Sequence, residues 1–117
     1  MPSPFINHIE IQVASLKEAK KFYNALFSLK VNILPQMNYA MWEAAKEPGG
    51  GMVEAKKIKH GGTTVYFNVD NINTYLKKAT ELGGKVVEKK TAIGGDMGFY
   101  GLIQDPFGNK VGIWSNK

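Results

Sequence analysis

Cysteine, arginine and long apolar runs are all missing from this sequence. With no cysteine among its 117 residues, the chain has no disulfide, thiolate metal site or cysteine nucleophile. All 15 basic residues are lysine, so the planar fork with which arginine recognises phosphate and guanine is absent. No apolar stretch approaches the ~20 residues that span a bilayer. We therefore expect neither nucleic acid nor a membrane as a partner.

The rest of the composition is that of an ordinary globular protein. Hydrophobic residues make up 44% and charged residues 21%, and the length predicts one domain. The first five residues lack the basic and apolar regions of a signal peptide, so we expect a cytoplasmic protein. The lysines behind the formal charge of +5 are scattered, which indicates a solvated surface; an anion-binding patch is the alternative.

The first predicted strand, residues 6–13, alternates apolar and polar side chains, so that one face is aliphatic and the other polar. The polar face carries three side chains: His8, Glu10 and Gln12. A helix follows, for which Ser15 and Glu18 have capping-box spacing. Its apolar stripe includes Leu26, which we expect to pack on a sheet. Three further strands are predicted at residues 31–34, 39–44 and 52–56, the last of them after a proline- and glycine-rich turn at 48–51.

The same order of elements then repeats. A strand at 63–69 precedes a helix that Asn71 caps and two glycines end, and three strands follow at 85–89, 99–104 and 110–114. An offset of 56 residues places Leu26 on Leu82. This duplication predicts an α+β fold with two βαβββ repeats, 5–57 and 62–115, which form a curled mixed β-sheet with a central cavity.

Three segments resemble one known family. They are N-H-I-E-I-Q-V at 7–13, V-Y-F-N-V-D at 65–70 and D-P-F-G-N-K-V-G-I-W at 105–114. Together they resemble the vicinal oxygen chelate superfamily of glyoxalases, bleomycin-resistance proteins and extradiol dioxygenases. The resemblance implies the same duplicated fold, a small-molecule ligand and a homodimer.

The resemblance also implies four strand positions for a divalent metal ion. Carried over to this sequence, these positions are His8, Glu54, Thr64 and Gly112. Thr64 is a poor ligand and Gly112 has no side chain, so only His8 and Glu54 keep ligand chemistry. Catalytic metal sites commonly have three protein ligands and an open position. We therefore expect no metal cofactor, with a divalent ion on His8 and Glu54 as the alternative.

Two functions stay open at this point. One is a non-catalytic protein of the bleomycin-resistance kind that binds a small organic ligand by stacking and apolar burial. The candidate ligand-binding residues are Gln12, Trp42, Thr64, Tyr66, Asn68 and Trp114. The other is a lyase, isomerase or dioxygenase acting on a small oxygenated metabolite, in which His8, Glu10 and Glu54 are catalytic acid or base groups.

Each candidate also has a structural interpretation. His8 could be an unliganded, hydrogen-bonded histidine, Glu54 an exposed strand residue, and His60 a solvated loop residue. The aromatic residues Trp42, Tyr66 and Trp114 could belong to the core or to a dimer interface.

Overall fold

The computed structural model describes residues 3–43, 45–57 and 62–117. The chain divides into two compact units, one of Asn7–Thr64 and one of Met1–Ile6 with Val65–Lys117. His60 lies outside the described residues, so its interpretation as a loop residue stays a prediction.

The first unit is a four-stranded sheet with one helix. Its elements are β1 (Phe5–Val13, whose first two residues belong to the other unit), α1 (Leu16–Phe27), β2 (Val31–Leu34), a single 3-10 turn (Pro35–Met37), β3 (Tyr39–Trp42) and β4 (Gly49–Glu54). The strand order is β2-β3-β4-β1. β1 and β4 run parallel, and the other neighbouring pairs are antiparallel.

The second unit repeats this arrangement. Its elements are β5 (Thr64–Asn68, whose first residue belongs to the first unit), α2 (Ile72–Glu81), β6 (Lys85–Ala92), β7 (Phe99–Gln104) and β8 (Lys110–Ser115). The order is β5-β8-β7-β6, and β5 and β8 are the parallel pair. The predicted α+β fold with two βαβββ repeats is confirmed. The central cavity stays a prediction.

Both helices begin at the residues that their capping side chains predict. The Ser15 hydroxyl accepts a hydrogen bond from the Glu18 backbone N–H at 3.2 Å, and the Asn71 side chain accepts one from the Thr74 N–H at 3.1 Å. Each bond satisfies one of the N–H groups that a first helical turn leaves unpaired. At the other end of α2, Gly83 has a φ of 96°, a conformation that favours glycine.

Each unit has its own apolar core between helix and sheet. The buried residues of the first core are Leu16, Ala19, Val31, Ala40 and Met52; those of the second are Val69, Ile72, Leu76 and Ile113. The expected packing of Leu26 and Leu82 is wrong, because these side chains are 57% and 76% exposed. Leu26 lies on the same side of α1 as Ala19 but in the last turn, and the buried residues of α1 are in its first half. Leu82 follows the end of α2 as its C-cap.

Strand β4 begins three residues earlier than predicted. Gly49, Gly50 and Gly51 are strand residues paired with β1, and Gly50 and Gly51 also pair with β3. A Cβ atom added to Gly50 would overlap the ring of Trp42. At Gly50, and likewise at Gly51 under Tyr39, a neighbouring ring lies over the strand, which is one of the reasons for glycine within a sheet. Residues Gly49–Gly51 are thus strand residues and do not form the predicted turn.

Within the described residues, neither helix has the length and apolar character needed to cross a membrane.

The helix phase seen here predicts unequal costs for two leucine truncations. Leu76→Ala removes a side chain that is 7% exposed, and it should lower the free energy of unfolding by about 2–5 kcal/mol because it leaves a cavity. Leu82→Ala should change that energy by no more than about 0.5 kcal/mol. Denaturant unfolding of both variants measures the difference. Equal losses at the two positions would contradict this helix phase.

Candidate functional site

The polar face of β1 lies opposite the first core. Ile11 and Val13 pack against that core, so strand alternation turns the residues between and before them to the other face. That face carries the predicted trio, all half-buried: His8, Glu10 and Gln12. The register places Gly49 beside His8 and Gly51 beside Glu10 on β4. Strand β4 therefore contributes no side chain next to His8 or Glu10.

Tyr39 fills part of this space, and the sequence did not predict it as a site residue. Its hydroxyl lies 2.8 Å from Nε2 of His8. The two rings are nearly parallel, with centroids 6.4 Å apart and an interplanar angle of 18°. His8 is thus held by a side chain from β3, although β4 lies between β3 and β1.

Burial also sets the protonation state of His8. Desolvation lowers the pKa of the imidazole from its ordinary value of 6.5, because a half-buried site disfavours the charged form. At neutral pH the ring is therefore mostly neutral. A neutral imidazole can accept a hydrogen bond or a proton at one nitrogen while it donates at the other.

Glu54 does not share the face of His8, contrary to its assignment as a catalytic or metal-binding residue. It pairs with Val13 on β1 and is exposed. Its Oε2 accepts a hydrogen bond from the backbone N–H of Leu16 at 3.0 Å, at the start of α1. A carboxylate at this end of a helix is favoured by the unpaired N–H groups and the helix dipole. Glu54 therefore caps α1 in this structure.

The physical reason for this correction lies in the register of β4. Glu54 would correspond to Gly112 if residues 49–51 formed the turn that the sequence predicts, with the strand beginning after it. In the structure Gly51 pairs with Glu10 and Met41, just as Gly112 pairs with Tyr66 and Leu102. Gly51 is thus the counterpart of Gly112. A shift of three residues, an odd number, moves a strand side chain to the opposite face.

The second unit brings three predicted ligand-binding residues together on one sheet face. Tyr66 pairs with Gly112, and Asn68 with Trp114. The Tyr66 ring lies where a Cβ atom of Gly112 would be. The Trp114 indole is fixed by a 2.8 Å hydrogen bond from Nε1 to the carbonyl of Met97.

Two further predicted ligand-binding residues, Trp42 and Thr64, have different surroundings. Trp42 packs against the first core and lies over Gly50, on the helix side of the sheet. This contact supports the interpretation of Trp42 as a core aromatic. Its assignment as a ligand-binding residue stays a prediction. Thr64 is 2% exposed and opens β5.

The side chains present do not fit the metal site that the resemblance implies. With the register corrected, the four positions are His8, Gly51, Thr64 and Gly112. Two of them lack a side chain, and a tyrosine ring occupies the space over each of these glycines. Among the residues described, no three His, Cys, Asp or Glu side chains are grouped so that they could hold a metal ion.

Comparison with known proteins identifies the family. Residues 5–113 match the Glyoxalase/Bleomycin resistance protein/Dioxygenase superfamily, and the chain belongs to this superfamily. It is 27% identical to a Mycobacterium bovis protein named "Putative glyoxylase CFP32", over 92% of this chain and 44% of that protein. The chain thus spans less than half the length of this relative.

Solved structures share the fold. A hypothetical protein from Bacillus halodurans superposes with a TM-score of 0.75 at 19% identity, over 99% of this chain and 96% of that one. The Mn(II)-bound glyoxalase from Novosphingobium aromaticivorans has a TM-score of 0.71 at 19% identity, over 95% of this chain and 38% of that one. At these identities the likeness shows the fold alone.

The capping role of Glu54 predicts a small and local loss of stability. Glu54→Gln removes the charge at the start of α1 and should lower the free energy of unfolding by about 0.3–1 kcal/mol. Glu43→Gln, which removes the same charge from an exposed loop residue, is the matched control and should be close to neutral. Denaturant unfolding at low salt measures both. A larger loss for Glu43→Gln than for Glu54→Gln would contradict the capping role.

The lowered pKa of His8 predicts how stability changes with pH. Below the ordinary value of 6.5 the unfolded chain binds the proton more readily than the folded chain, so stability falls as pH falls through this range. His8→Gln should reduce this dependence, whereas His60→Gln, which leaves His8 in place, should not reduce it to the same extent. Melting temperatures between pH ~5 and ~8 measure the slopes. An unchanged slope in His8→Gln would contradict the shift.

Proposed function

We propose that this chain binds a small organic molecule on the polar strand face of its first unit, without a metal ion held by the four strand positions. One observation carries the proposal: half-buried His8 is held by the Tyr39 hydroxyl beside Gly51, a residue without a side chain. Small-molecule sites combine a few oriented polar groups with aromatic and apolar surface. His8 and Tyr39 supply both kinds of group.

We extend the proposal to the aromatic face of the second unit. Half-buried Trp114 offers flat apolar surface with a polar end, and Asn68 lies beside it in register. The ring of Tyr66 on the same face is only 9% exposed, so it offers little surface of its own. Aromatic rings of this kind bind planar ligands by stacking and burial. The indole of Trp114 is already oriented by its hydrogen bond to Met97, which reduces the entropy lost when a ligand binds.

The class of ligand that we propose is a small oxygenated metabolite. Its support is the family, together with the glyoxylase name of the Mycobacterium bovis relative. Polar side chains that can exchange hydrogen bonds with oxygen atoms follow one another along β1: His8, Glu10 and Gln12.

A second candidate is an acid–base lyase or isomerase. The observation that favours it is the lowered pKa of His8, because a neutral imidazole can accept a proton at physiological pH. Glu10, on the same strand face, would be the second acid or base group. Glu54 is not part of this proposal, because it caps α1.

A homodimer and a cytoplasmic location stay predictions.

A ligand screen tests the proposal. The unmodified protein would be melted with a panel of small dicarbonyl compounds, hydroxy acids and phenols. A compound at 100 times its Kd adds about 2.7 kcal/mol of stability and should raise the Tm by several degrees. His8→Ala should lose this shift. Asn73→Ala, an exposed change on α2, should keep it. A shift that survives in His8→Ala would contradict the proposed location.

Two further experiments distinguish a metal-independent site from a metal-dependent one, and a binding protein from an enzyme. We expect a chelator to leave the Tm unchanged and Mn²⁺ or Zn²⁺ to give no saturable increase; a Tm that falls with chelator would contradict the metal-independent site. Any compound that stabilises the protein would then be followed by proton NMR over hours. Conversion that disappears in His8→Ala would favour the enzyme over the binding protein.

A further inference from the structure

His8 and Tyr39 lie two strands apart, which makes their hydrogen bond unusual. Neighbouring strands are about 4.8 Å apart, so β3 and β1, with β4 between them, are separated by about twice that distance. The Tyr39 hydroxyl nevertheless comes within 2.8 Å of His8 Nε2. A tyrosine side chain spans this distance only when it lies flat across the strand in between.

Gly51 is the residue over which Tyr39 crosses. A Cβ atom at position 51 would overlap the hydroxyl oxygen and the neighbouring ring carbons of Tyr39. By contrast, a Cβ atom at Gly49 would have an ordinary contact, 3.5 Å from the carbonyl oxygen of Trp42. Any side chain at position 51 therefore obstructs the route from Tyr39 to His8, whereas one at position 49 does not.

The chemistry of the two groups indicates where the shared proton lies. A phenol O–H is a better donor than a neutral imidazole N–H, and an imidazole nitrogen is a better acceptor than a phenol oxygen. Tyr39 should therefore donate to Nε2, and the imidazole proton should then lie on Nδ1. In water, free neutral histidine instead favours the proton on Nε2.

We propose that Tyr39 is a positioning residue for His8, and that this role requires glycine at position 51. Tyr39 orients the imidazole and selects the Nδ1–H form, so that His8 meets a ligand in one defined state. The inference rests on the proposed function in that His8 is taken as a ligand-binding side chain. The hydrogen bond and the tautomer are properties of the protein without any ligand, and they can be tested in its absence.

Nitrogen NMR of the histidine rings tests the inference directly. The chain has two histidines, so His60→Gln leaves His8 as the sole imidazole in a protein labelled with ¹⁵N-histidine. At a pH about two units above the ordinary pKa of about 6.5, a protonated and an unprotonated ring nitrogen resonate far apart. We expect the unprotonated signal at Nε2 and the protonated signal at Nδ1. A proton on Nε2 would overturn the inference.

Three variants in this background assign the cause. Tyr39→Phe keeps the ring but removes the hydroxyl, and it should move His8 towards the Nε2–H form. Gly51→Ala should do the same by displacing Tyr39, while Gly49→Ala should leave the spectrum as it was. If Gly51→Ala does not fold, Tyr39→Phe decides alone because it preserves shape. An unchanged tautomer in Tyr39→Phe would overturn the inference. Since no ligand is present, this outcome is distinct from a failed ligand screen.

Discussion

The absence of side chains at Gly50 and Gly51 of strand β4 is the constraint on which the first unit depends. A side chain at position 50 would lie on one face of the sheet, and a side chain at position 51 would lie on the other. An aromatic ring occupies each of these two spaces. On the helix side Trp42 covers Gly50 and joins the core, while on the other side Tyr39 crosses Gly51 and reaches His8. One stretch of glycine therefore determines both how the core is filled and which group His8 contacts.

These glycines have a thermodynamic cost. Glycine within a strand loses more conformational freedom on folding than other residues do, at about 0.5–1 kcal/mol each relative to alanine. A side chain at either position would displace a large ring, and burial of apolar ring surface stabilises the fold by roughly 25 cal/mol per Å². The glycines and the rings thus depend on each other, and a substitution at one changes the other.

The two units share a topology but differ in the side chains on the corresponding faces of their sheets. At equivalent strand pairings, Gly51 lies under Tyr39 from β3, and Gly112 lies under Tyr66 from the directly paired strand β5. The first unit thereby holds a histidine, and the second unit has half-buried Trp114 and the buried ring of Tyr66 on the corresponding face. The helix starts differ as well, since Glu54 adds a second cap to α1. Duplication preserved the framework, and individual residues gave each unit its own chemistry.

The sequence by itself determined the fold class, the two repeats, the helix caps at Ser15 and Asn71 and the alternation that groups His8 with Glu10 and Gln12. These features follow from local rules, because strand alternation, capping and turn chemistry act over a few residues. Only the tertiary structure decided that Gly51 and not Glu54 corresponds to Gly112, that Leu26 and Leu82 are exposed, and that Tyr39 contacts His8. Strand register and side-chain crossing depend on neighbours distant in sequence, and a glycine run is compatible with either a turn or a strand until those neighbours are known.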